Sequence, residues 1–170
     1  MSQKTGLTGN AEWHTANLPR TLEEMVAVLL DREQIRGLIH ELNWLSDDDR
    51  LDELLDRFTD ELYYEVEGMA VFHDKDALRK FYEEVVGTFS LRMHRVTNEI
   101  VELDGNRAKA RCYWRADLEL RGRALVSAGR YFDDFVQVGG VWKVASRKAT
   151  LTYISPLDEG WARTRYFSLA

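Results

Sequence analysis

From Arg107 to Leu120 the sequence alternates without a break. Ala108, Ala110, Cys112, Trp114, Ala116, Leu118 and Leu120 fall on one face, and Lys109, Arg111, Tyr113, Arg115, Asp117 and Glu119 on the other. A period of two over such a stretch is the signature of a β-strand with one buried face. A strand of about 15 residues at roughly 3.3 Å each would run about 50 Å if flat. A compact domain made from 170 residues has a radius of gyration near ~15 Å. The sheet must therefore coil, with bulges expected near Gly122 and Gly129. A coiled sheet closed by helices encloses an interior, so a pocket is the expected outcome.

The flanking segments supply the rest of the sheet and its helices. After Gly87 the period of two persists: Met93 to Leu103, a turn at Asp104-Gly105-Asn106, then Ala124 to Val138 and Val141 to Thr152 beyond further glycine turns. Before Gly87 the period is helical. Leu22, Met25, Val26, Leu29 and Leu30 form one stripe. Asp31, with Gln34 three residues on, reads as the N-cap of a second helical segment carrying Ile35, Leu38, Ile39, Leu42 and Leu45. Ser46-Asp47-Asp48-Asp49 reads as a break, with Asp48 or Asp49 capping a short helix of Leu51, Leu54, Leu55 and Phe58. Leu62 to Glu67 is strand-like, and a further helix starts near Asp74. The pattern predicts an α+β fold: a strongly curved antiparallel sheet wrapped against about three N-terminal helices, forming a cone with an interior pocket. Residues 1–20 read as a flexible or docking arm, 21–155 as the domain and 156–170 as a C-terminal tail.

Composition narrows the function. With 23 basic and 29 acidic residues the formal charge is −6, which argues against a general nucleic-acid binder. A lone Cys112 forms no intramolecular disulfide or thiolate cluster and fits a reducing compartment. No apolar stretch reaches the roughly 20 residues that span a bilayer, and residues 1–20 do not read as a signal peptide. The expectation is a cytoplasmic protein with a small-molecule substrate and no nucleic-acid or membrane partner. The four histidines show no metal-ligand spacing. There is no GxGxxG, Walker A, GxSxG or CxxC pattern, so neither metal nor cofactor is expected.

Two residues carry the candidate chemistry. Strand alternation puts His94 on one face with Val96, Asn98 and Ile100, and this face is expected to be interior. A His and an Asn facing an apolar concavity must be hydrogen-bonded. Helical periodicity from Leu38 and Leu42 makes Asp47 the aspartate of its run that points inward. An inward Asp meeting an inward His makes an oriented base: the carboxylate fixes the imidazole tautomer while the other ring nitrogen takes a proton. The residues alone leave open a hydrogen-bonded structural His and a capping Asp. Tyr64 can offer a phenol to the pocket or serve as core.

Leu38 to Glu61, Met93-His94-Arg95-Val96-Thr97-Asn98, Leu103 to Ala108, Gly129-Arg130-Tyr131 and Trp142-Lys143-Val144 together resemble the polyketide cyclase SnoaL-like group of the nuclear transport factor 2-like superfamily. Members similar to scytalone dehydratase and hexachlorocyclohexane dehydrochlorinase use an Asp–His dyad, which matches Asp47 and His94 by position. The resemblance also implies Arg147 as a pocket arginine and Tyr64 near a substrate-facing aromatic position. A second catalytic His of some dehydratases has no counterpart among Tyr113, Trp114 and Arg115. What is implied is a cofactor-independent lyase or isomerase of dehydratase, dehydrochlorinase or cyclase type, with Tyr64, Asn98 or Arg147 binding substrate. The alternative is a non-catalytic small subunit of a ring-hydroxylating dioxygenase, or a small-molecule binding module. A homodimer or homotrimer is expected, formed through the outer face bearing Lys109, Arg111, Tyr113 and Arg115.

Overall fold

A computed structural model describes residues 21–161; the N-terminal arm read from the sequence lies outside them, as do the last residues of the tail. The chain opens with one helix, α1 (Leu22–Asp47), followed by the short α2 (Leu51–Asp56). Next come β1 (Phe58–Val66), β2 (Ala70–Phe72), α3 (Lys75–Glu84) and a 3-10 turn at Val86–Thr88. Four long strands complete it: β3 (Leu91–Asp104), β4 (Arg107–Leu120), β5 (Arg123–Val138) and β6 (Val141–Pro156). The six strands form one sheet in the order β2-β1-β6-β5-β4-β3. The fold is α+β, with a coiled sheet packed against the helices.

Several local expectations give way to tertiary demands. The two helical segments are a single helix, capped by Thr21 and Glu24 in a reciprocal capping box. Asp31 caps nothing, because no Gly or Pro interrupts the helix there. Its carboxylate instead accepts hydrogen bonds from Trp142 Nε1 at 2.8 Å and Gln137 Nε2 at 3.3 Å. Only the C-terminal half of α1 is buried, through Ile35, Leu38, Ile39, Leu42 and Leu45. The first stripe stays exposed, Leu22 by 75% and Leu29 by 63%. Arg50 rather than an aspartate begins α2, without a side-chain cap, and Phe58 starts β1 instead of closing the short helix. Asp74 does cap α3, accepting from the Ala77 N–H at 2.7 Å. The sheet is mixed rather than wholly antiparallel. β3 to β6 form the expected meander, but β1 runs parallel to β6.

In β4 the alternation is realised residue by residue: Ala108 to Leu120 are buried at every second position. Bulges supply the coiling. One lies between β5 and β6 at Ala128/Gly129. A Cβ at Gly129 would lie 1.8 Å from the Thr150 carbonyl oxygen and 2.9 Å from Trp114, so only glycine lets the strands and the indole close this tightly. Gly122 belongs to a two-residue hairpin turn instead, with Arg121 at φ 51° and Gly122 at φ 78°. Among the described residues no helix is long and apolar enough to cross a membrane. Beyond β6, Leu157 N–H bonds the Ala124 carbonyl at 2.9 Å, and Trp161 stacks on Tyr153.

Candidate active site

Asp47 is the last residue of α1. The inward face of the helix, set by Ile39, Leu42 and the buried Asn43, brings its carboxylate against β3. Oδ1 lies 2.6 Å from His94 Nδ1, and Oδ2 accepts the His94 backbone N–H at 2.7 Å. The two side chains are 14% and 16% exposed, partly desolvated yet open at one edge. A carboxylate facing Nδ1 requires the ring proton there, so the neutral imidazole carries its free lone pair on Nε2. The second contact, to the backbone of the same residue, fixes where the carboxylate sits relative to the ring.

His94 lines a cavity of about 610 Å³. Its walls are apolar: Phe81, Val85, Val86 and Phe89 from the α3 side, Trp114, Leu118, Leu151 and Ile154 from the sheet, and Met69 near the mouth. Ala116, a small side chain, lies directly opposite His94 across the β3–β4 pair. The Trp114 ring is 6.1 Å from His94 and stacks on Tyr131 at 5.6 Å. Three ionisable groups line the cavity and each has a partner. Glu67 faces Lys148 at 3.6 Å, Arg92 pairs with Asp49, and His94 pairs with Asp47.

Asp47 and His94 are thus brought together; the other three residues named from the sequence are not in this cavity. Asn98 is exposed on the outer side, beside Ile100, Arg111 and Tyr113. A bulge in β3 between Thr97 and Ile100 places two residues opposite one of β4, with Asn98 in the left-handed region at φ 60°. The extra residue inverts the alternation, so Val101 and Leu103 point inward where Ile100 was expected. Arg147 is buried in a bidentate pair with Asp133, at 2.8 and 2.7 Å, with its guanidinium 4.3 Å over the Tyr131 ring. Burial alone would lower its pKa, but the adjacent Asp133 carboxylate raises it, and the charge is consumed by that pair. Tyr64 is buried with its hydroxyl 3.4 Å from that of Tyr82, and burial pushes its pKa well up, keeping the phenol neutral. Neither lines the cavity. Of the remaining histidines within the described residues, His40 faces Glu99 at 3.1 Å and His73 packs on Tyr63. Among the described residues no group of three or more His, Cys, Asp or Glu gathers as a metal site.

A family model described as a SnoaL-like domain matches residues 27–148, a span that holds both members of the pair and most of the sheet. The chain belongs to the SnoaL-like domain family. An uncharacterized protein of Mycobacterium tuberculosis is 26% identical over 129 residues, covering 74% of this chain and 88% of that protein. A crystal structure provisionally named a scytalone dehydratase, from Novosphingobium aromaticivorans, superposes with a TM-score of 0.72 at 20% identity, covering 86% of this chain and 98% of its own. The hexachlorocyclohexane dehydrochlorinase LinA-type3 of Novosphingobium barchaimii gives 0.71 at 18% identity, covering 84% and 98%. At such identities the likeness to these two structures is one of fold.

Two residues that line the cavity escaped the sequence reading. Arg92 shares the inward face with His94, two positions away, and the same alternation flags it: an arginine on an apolar face needs partners. Ser127 was hidden because nothing in its own stretch distinguishes it. It follows the row His94, Ala116, Ser127 across three paired strands, and its Oγ is buried without a hydrogen-bond partner, as is Trp114 Nε1.

Proposed function

We propose that the protein is a cofactor-independent lyase or isomerase in which His94 abstracts a proton from a small, uncharged, largely apolar, cyclic molecule. The observation that carries this reading is the imidazole on the wall of an apolar cavity, with Nδ1 held by Asp47 at 2.6 Å. A structural histidine needs a partner; it does not need a neighbouring cavity of ligand size. In the reaction Nε2 takes a proton from carbon, and Asp47 stabilises the imidazolium that forms. The proton then returns to another carbon, which is isomerisation, or goes to the oxygen of a carbonyl whose carbon the carbanion has attacked, which is ring closure, or departs with a leaving group, which is elimination. The names of the two fold neighbours, a dehydratase and a dehydrochlorinase, both denote eliminations, and this supports the second course. The substrate is uncharged because each charged group lining the cavity faces a protein partner, and burying an unmatched charge there is costly.

The test is a panel of uncharged cyclic compounds prone to elimination, including hexachlorocyclohexane and scytalone, followed by chloride release and by absorbance. Turnover of one or more is expected, lowered about 10²–10⁴-fold by His94→Ala, the range general-base catalysis supplies. A folded His94→Ala protein that keeps wild-type turnover refutes the reading.

A further inference from the structure

The end of a helix is an unfavourable place for a catalytic carboxylate. The last carbonyls lack partners there, and the negative end of the helix dipole opposes a negative side chain. α1 has no basic residue in its last turn to offset this. Its own turn chemistry satisfies part of the need. Asp49 adopts φ 57°, and the N–H groups of Asp48 and Arg50 reach back to the Trp44 and Leu45 carbonyls at 3.0 and 2.9 Å. The Ser46 and Asp47 carbonyls are met from another element. Arg92 of β3 donates from Nε and Nη2 to Ser46 at 3.2 and 3.1 Å, and its Nη2 lies 3.5 Å from the Asp47 carbonyl. Nη2 also pairs with the Asp49 carboxylate, and Nη1 donates to the Val86 and Phe89 carbonyls at 3.2 and 2.8 Å.

We propose that Arg92 is the positioning residue of the Asp47–His94 pair. It stands two residues before His94 on the same face of the same strand, so it references the end of α1 to the strand that carries the imidazole. Its side chain is 4% exposed and all three of its nitrogens are engaged, so it holds nothing back for an anionic substrate. A planar fork with five N–H donors is what this cluster of acceptors requires; an ammonium on a flexible stem satisfies only some of them. Because the same guanidinium holds Val86 and Phe89, whose side chains line the cavity, the cavity wall and the dyad share one anchor. The effect on turnover rests on the reading of His94 as a base; the effect on the pair's geometry does not.

The experiment compares wild type with Arg92→Met and Arg92→Lys in the full chain. The first readout is the low-field proton resonance of His94 Nδ1–H bonded to Asp47, assigned by its loss in His94→Ala. The second is the split between kcat and KM on a substrate from the panel above. Arg92→Met is expected to lose or broaden the low-field resonance and to lower kcat at least tenfold with a smaller change in KM, while Arg92→Lys restores part of both. A folded Arg92→Met protein with the wild-type resonance overturns the proposal, whatever its kcat. If Arg92→Met does not fold, an unshifted resonance in Arg92→Lys overturns it equally. A resonance that depends on Arg92 in a protein that turns over no panel member sustains the positioning role and counts against the lyase reading alone.

Discussion

Asp47→Asn changes one oxygen to an amide nitrogen at the point where two hydrogen bonds converge. The carboxylate now accepts from the His94 backbone N–H at 2.7 Å and faces Nδ1 at 2.6 Å. An asparagine keeps one acceptor. If that oxygen stays on the backbone N–H, the NH₂ group faces Nδ1, which must then give up its hydrogen and become the acceptor. The proton moves to Nε2, and the nitrogen facing the cavity can no longer take a substrate proton. A carboxamide also fails to stabilise an imidazolium, which is how the equivalent change in a serine-protease triad costs about 10⁴ in rate. Here we expect a loss of about 10²–10³, within the range of general-base catalysis. Hydrogen bonds to charged groups contribute about 1.5–3 kcal/mol, and one is retained, so the cost in stability is about 1–2 kcal/mol. At about 2–4 °C per kcal/mol for a chain of this length, the melting temperature falls by roughly 2–8 °C. Calorimetric melts, turnover and nitrogen NMR of His94 in both proteins check this, with the exposed Asp48→Asn as control. Unchanged turnover with the hydrogen still on Nδ1 would refute the reasoning.

Three further outcomes follow from the buried polar groups. Asp133→Ala strips the counter-ion from Arg147, whose side chain is 4% exposed. An unpaired buried charge costs about 3–5 kcal/mol, and Asp133→Ala/Arg147→Met is expected to recover part of it; a single variant melting like wild type would show that the pair is not buried as described. The Cys112 thiol is pushed up to about 12, first by burial and then by nearby Asp133. It should react with iodoacetamide only on unfolding, as read by mass spectrometry. Because its folded pKa is raised, this group's contribution is intact below its ordinary value of 9.0 and is lost as pH rises toward 12. Wild type should therefore lose stability more steeply than Cys112→Ala between those values.

The division between local and tertiary information is visible in particular residues. Alternation from Arg107 to Leu120 and the helical stripe from Ile35 to Leu45 were legible because each depends only on which neighbours share a face, a property of a few consecutive residues. The same logic named Asp47 and His94 as inward-facing. It could not show that they touch, since that distance depends on how α1 lies across β3. Asn98 was misplaced because a bulge is a mismatch between two strands: its position is decided by what β4 offers opposite, and one extra residue reverses every side chain beyond it. Asp31 was misread as a cap because its partners, Gln137 and Trp142, come from β5 and β6, far along the chain. The parallel pairing of β1 with β6 was equally out of reach, since the two strands lie far apart along the chain and the alternation within a strand does not record which neighbour it pairs with. Arg92 joins both kinds of information. Local sequence puts a cation on an apolar face, and only the tertiary structure supplies the helix end whose unpaired carbonyls make burying it favourable.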